Sequence, residues 1–183
     1  PSTLGYLTEP QVNSRSREAT GNDVYGTYGT DVSTADGDRF MIVALTPRHF
    51  RDLVQLTDTG EAIGSLERAL DVDFSLEADR FAHRSVLNAL FGKWFAERST
   101  DEVASVLAAS SVLSGRYRTF DEVVASGALE ANPLFAELDQ PGIGRYLAAG
   151  LPATFDGEQY FVGPAPQLGV HTPVTHTSGV GSD

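Results

Sequence analysis

The chain has 183 residues, 41% of them hydrophobic, enough for one domain with a core and an appended segment. Lys plus Arg is 13 against 25 for Asp plus Glu, a formal charge of −12, which disfavours nucleic acid and acidic membranes as partners. Cysteine is absent, so disulfides, thiolate metal sites and a cysteine nucleophile are excluded.

No window approaches the roughly 18 apolar residues of a membrane span, and the first residues carry no charged-then-apolar signal pattern. A cytoplasmic location is expected. Residues 1–20 read as the end of an apolar element, Leu4-Gly5-Tyr6-Leu7, followed by a polar linker over residues 13–18. With no initiator Met, the numbering is expected to start inside a longer architecture.

The stretch Gly21-Asn22-Asp23-Val24-Tyr25-Gly26-Thr27-Tyr28-Gly29-Thr30 holds three glycines and two tyrosines. Glycine lets backbone approach a ligand closely, because no Cβ stands in the way. Tyrosine adds a flat apolar face and a hydroxyl. From these residues alone the stretch is either a ligand-approaching loop or one that Gly and Asn make easy to turn. A hairpin follows at once. Residues 31–34 have strand propensity, Asp36-Gly37 suits the turn, and residues 39–45 form a return strand expected to be buried on both faces.

Thr46-Pro47 opens a helix as N-cap and N1, with Phe50, Leu53 and Val54 at helical spacing. Residues 57–64 read as a break, and residues 66–70 as one more helical turn. Ser75 is expected to cap a helix that carries the clearest stripe in the chain, Leu87, Leu90, Phe91, Trp94 and Phe95. That spacing predicts core packing rather than an aromatic ligand platform. Ser99–Glu102 and Thr119–Glu122 are capping boxes, each cap contributing about 1 kcal/mol. Residues 112–118 form a strand or loop between their helices. Gly127 is a stop. Strands are expected near residues 135–139, 145–147 and 153–155, with a turn at 140–144. Residues 164–169 read as an extended connector, and residues from 171 onward as a loose tail.

Complete catalytic motifs are missing. His49, His83, His171 and His176 are scattered without HxxxH or HExxH spacing, and no metal site is expected. There is no GxSxG, GxGxxG or GxxxxGK[ST]. Acid pairs such as Glu61/Glu67 and Asp71/Asp73 read as a solvated face.

Several stretches together resemble the family III CoA-transferases, the CaiB/BaiF family. They are residues 21–29, then Ala35-Asp36-Gly37-Asp38-Arg39 running on to Thr46-Pro47, then Ala131-Asn132-Pro133-Leu134-Phe135. Asp139-Gln140-Pro141-Gly142-Ile143-Gly144-Arg145-Tyr146-Leu147 and Pro164-Ala165-Pro166-Gln167-Leu168-Gly169 with His171-Thr172 complete the set. Order and spacing agree up to about residue 172. The Asn-x-x-Tyr-Gly loop and the Gln-Pro-Gly-Ile-Gly-x-Tyr-Leu stretch point to members that move CoA from C1 to C4 of one C5 dicarboxylate, mesaconyl-CoA.

The resemblance implies an α+β fold, the small domain of such an enzyme, with a short sheet, several packed helices and an extended C-terminal connector. Residues 1–20 would be the end of a large-domain element and a linker, 21–130 the small domain, 131–172 the strands and connector back to the large domain, and 173–183 a tail. A large Rossmann-like domain that binds CoA and carries a catalytic Asp would lie before Pro1, so no catalytic residue is expected in this chain. Gly21, Asn22, Tyr25, Gly26, Tyr28 and Gly29 would form a lid over the CoA thioester. An acyl-CoA and a carboxylate would be the partners, CoA thioester the substrate rather than a resident cofactor, and an interlocked homodimer the assembly. Thr46 stands where the racemase branch has Glu, which argues against a racemase. Val170 replaces a Glu of the relatives' connector, and residues from Pro173 have no helical pattern. The alternative is a truncated relative that acts as a non-catalytic binding or interaction module.

Overall fold

The structure, a computed structural model, describes residues 4–170. His171, His176 and the expected tail lie outside the described residues. The chain divides into two compact units, Pro1–Tyr117 and Arg118–Asp183. The division falls ahead of the segment boundary expected after residue 130. Helices and small antiparallel sheets mix in an α+β architecture. No helix among the described residues is long and apolar enough to cross a membrane.

The first unit begins with α1 (Leu4–Asn13), which contains Pro10. The hairpin follows as β1 (Tyr28–Ser33) and β2 (Arg39–Ala44), antiparallel, with Tyr28 opposite Ala44, Thr30 opposite Ile42 and Val32 opposite Phe40. All six of those residues are buried on one face. The turn between the strands has Gly37 at φ 93°, which L side chains resist. Burial on both faces of β2 does not occur: Met41 and Val43 are only half-buried. The period of two puts them on the far face, which carries Asp31 and Arg39 as an ion pair.

Helix α2 (Pro47–Leu56) starts as its sequence predicts, with Thr46 Oγ1 accepting from His49 N. Helix α3 (Gly60–Leu70) shortens the expected break to residues 57–59. Its two glycines each cost a helix about 1 kcal/mol relative to alanine, and burial of Ile63 against the core outweighs that. Helix α4 (Glu77–Ala82) is followed at His83 by α5 (Arg84–Ala96). Ser75 does not cap α4; Leu76 stands at that position, and Ser75 N donates to Asp73 Oδ1 instead. Helix α6 (Thr100–Ala108) has the full capping box of Ser99 and Glu102. Strand β3 (Leu113–Arg116) pairs with β2, giving the order β1-β2-β3.

The core lies between the sheet and α2, α5 and α6. Tyr28, Phe50 and Phe91 meet at centroid distances of 5.5, 6.0 and 6.3 Å, with Phe74 beside Phe50 at 6.1 Å. Each such ring contributes roughly 1.5–3 kcal/mol by burial. Leu87, Phe91 and Phe95 of the α5 stripe are fully buried, while Leu90 and Trp94 flank them half-exposed. Arg80 is buried among these groups. Its Nη1 donates to Phe74 O at 2.8 Å and Ser75 O at 3.0 Å, and its Nη2 to Leu45 O at 3.1 Å. Burial holds this guanidinium below its usual pKa.

The second unit holds α7 (Phe120–Ala125), with the expected Thr119–Glu122 capping box, and two separate hairpins. Strands β4 (Phe135–Gln140) and β5 (Gly144–Ala149) pair across the expected turn. Strands β6 (Thr154–Phe155) and β7 (Glu158–Gln159) form the other pair. Residues 161–167 have no regular structure and end in a turn at 168–170.

Candidate functional site

Residues 21–27 form two successive turns before β1 begins. Gly21 has φ 61° and Gly26 φ 83°, and at both positions an added Cβ would meet nothing within 4 Å. Positive φ, not crowding, therefore selects glycine there. Between the turns the chain folds back on itself, with Asp23 N donating to Thr20 O at 3.1 Å and Val24 N to Gly29 O at 2.8 Å. Gly29 is different. A Cβ there would come within 2.7 Å of the Val24 side chain and 3.1 Å of Ile42 O, so close packing selects that glycine.

Side chains hold the loop from two directions. The Asp23 carboxylate lies 3.2 Å from Arg84 Nε and accepts from Asn88 Nδ2 at 3.0 Å, both on the first turns of α5. The Tyr25 ring meets Phe81 of α4 edge-on at 4.9 Å. On its face lies the Arg17 guanidinium, 3.6 Å from the ring centroid. The Tyr25 hydroxyl donates to Glu9 Oε1 at 2.7 Å, and Arg17 pairs with the other oxygen of the same carboxylate. The Tyr25 and Arg17 contacts hold the Glu9 carboxyl below its usual pKa, and the hydrogen bond to Glu9 raises that of Tyr25. Asn22 donates to Asp31 Oδ1 at 3.1 Å. Beside the loop opens a cavity of about 540 Å³, bounded by Glu9, Asn13, Arg17, Tyr25, Phe81 and Arg84.

Of the six residues expected in a lid, the structure keeps Gly21, Asn22, Tyr25 and Gly26 together in the loop. Tyr28 and Gly29 stand in β1. The Tyr28 ring is fully buried against Phe50 and Phe91, and burial pushes its hydroxyl far above the usual tyrosine range. Its flat face serves the core. Sequence reasoning missed Glu9, Arg17, Phe81, Arg84 and Asn88. The last three fall at i, i+3 and i+7, a spacing that hints at one shared helical face, although His83 interrupts the helix between them. Among the described residues no group of three or more His, Asp or Glu could hold a metal ion.

The profile of CoA-transferase family III matches residues 2–172, and the chain belongs to that family. It is 37% identical over 172 residues to 2-methylfumaryl-CoA isomerase of Chloroflexus aurantiacus, covering 92% of this chain and 42% of that protein. A CaiB/BaiF family protein from Brucella suis has the same fold at TM-score 0.62 and 23% identity, covering 91% of this chain and 41% of that one. Rv3272 from Mycobacterium tuberculosis shares it at TM-score 0.58 and 18% identity, covering 89% and 48%. The chain thus spans less than half the length of these relatives.

Proposed function

We propose that this chain is the small-domain portion of a CoA-transferase that moves CoA between carboxylates through an enzyme-bound acyl intermediate, with transfer from C1 to C4 of mesaconyl-CoA as its reaction. The observation that carries the reading is the 37% identity to 2-methylfumaryl-CoA isomerase over 92% of this chain. On this reading a carboxylate nucleophile belongs to a CoA-binding domain that precedes the segment, and this chain supplies no catalytic residue. The nucleophile attacks the thioester carbonyl, the C–S bond breaks, and a mixed anhydride and CoA thiolate form. The thiolate attacks the enzyme's half of the anhydride, which frees the substrate carboxylate and leaves CoA on the enzyme. The second carboxylate repeats the exchange in reverse order and regains CoA at C4.

Anhydrides and thioesters of this kind hydrolyse when water reaches them, so a cover is required. The loop at residues 21–27 is that cover, with the glycines at 21 and 26 letting backbone N–H groups come near a developing oxyanion. Apolar groups exposed after residue 130, among them Ile143 at 77% and Val162 at 66%, support a connector that runs onto a further domain. The enzyme would work in the cytoplasm as an interlocked homodimer, with acyl-CoA as substrate and no resident cofactor.

The test uses the whole protein with mesaconyl-CoA esterified at C1 and isotope-labelled free mesaconate. The expected product is the C4 thioester without label. Labelled product would place the transfer between molecules, and no transfer at all would favour a binding module. The 183-residue chain by itself should give no turnover.

A further inference from the structure

Resting on that lid reading, we propose that Arg84 and Arg17 are positioning residues. They latch the loop from two different parts of the chain, so that it opens as a flap hinged at Gly21 and Gly26. The two hinge positions have positive φ, and no atom lies within 4 Å of where a Cβ would stand at either. What holds it is the segment between. Asp23 is gripped by Arg84 and Asn88 of α5, with the Asp23 side chain 19% exposed and that of Arg84 25%. An ion pair that far from solvent is screened less than a surface pair. Tyr25 is gripped from elsewhere: Arg17 covers its ring from the segment after α1, Glu9 of α1 accepts a hydrogen bond from its hydroxyl, and Phe81 meets the ring edge-on. Arg17 and Glu9 belong to the segment that enters from the N-terminal side. A displacement of α1 therefore pulls on Tyr25 directly, while Arg84 holds Asp23 to the core. Both grips must release, together with the Asn22–Asp31 and Val24–Gly29 hydrogen bonds, for residues 22–25 to swing out. The geometry makes the flap respond to what happens at α1.

Hydrogen exchange on the 183-residue chain tests this, because the Val24 amide ties the flap to Gly29 O in β1 and is freed when the flap opens. The substitutions Arg84→Gln and Arg17→Gln leave the loop sequence intact, so its intrinsic exchange rates are unchanged. Each should speed Val24 exchange about 3- to 10-fold, while the Ile42 amide in β2 keeps the parent rate. Val24 exchange at the parent rate in both variants would overturn the latch. If either change speeds Ile42 as well, Tyr25→Phe decides, since it removes only the hydroxyl held by Glu9: faster Val24 exchange supports the latch and an unchanged rate refutes it. In the whole protein, the same variants should raise thioester hydrolysis relative to transfer. Faster exchange with an unchanged ratio keeps the latch and removes the lid reading, so the two ideas fail separately.

Discussion

Asp36 sits in a hairpin turn and is exposed, yet its carboxylate is among the best satisfied in the chain. Thr100 Oγ1 and Thr34 Oγ1 each reach its Oδ1 at 2.6 Å, and Thr100 N reaches Oδ2 at 3.0 Å. Those bonds, the Thr100 hydroxyl foremost, hold its pKa far below the ordinary range. A depressed folded-state pKa contributes stability above the unfolded value of about 3.9, and that stability is lost as pH falls below it. Asp36→Asn should therefore flatten the fall in stability between about pH 5 and pH 2, read from urea melts at several pH values. An equal slope in parent and variant would refute the assignment. The Asp-Gly turn was legible from two neighbours in sequence. Its second task, holding the start of α6, was not, because Thr100 lies 64 residues away.

At the scale of elements, α5 was legible because its stripe repeats with the helical period. The sequence places Trp94 and Phe91 on that stripe alike, and only the packing separates them. Phe91 is fully buried among Tyr28 and Phe50, whereas Trp94 is half-exposed beneath Arg98, whose guanidinium carbon lies 3.9 Å from the ring centroid. Phe91→Ala should cost roughly 3–5 kcal/mol and Trp94→Ala distinctly less, because less of Trp94 is removed from water. Denaturant midpoints at equal m-values give the order, and a larger loss at Trp94 would mean the phase of the helix is misread. Helix α3 was hidden by Gly60 and Gly64, residues that punctuate chains more often than they join helices. Tertiary burial of Ile63 overrode that local preference. The loop shows the same limit in another form. Its glycines and Tyr25 were legible, while the two arginines that hold it come from elements whose approach no local pattern encodes.

For the whole molecule, most of the burial lies in the first unit. No residue from 118 to 170 is buried, and the second unit's sheets have two strands each. Alternation predicted β4 and β5, but a two-stranded hairpin has little of its own to bury. In the first unit, Arg80 ties Leu45, just past the end of β2, to the segment at Phe74 and Ser75. Phe74 O and Ser75 O are close to Arg80 in sequence, but Leu45 O joins them only where the sheet and the helical layer have docked. The Arg80 bonds should then form after the rate-limiting step of folding, at a position with a φ-value near zero. Arg80→Met should steepen the loss of the native state in time: unfolding about tenfold faster or more, refolding within about twofold of the parent. Stopped-flow chevrons would show it, and a refolding limb slowed as much as unfolding is sped would put Arg80 in the nucleus instead. A residue that contributes nothing to finding the fold would then set how long the fold lasts.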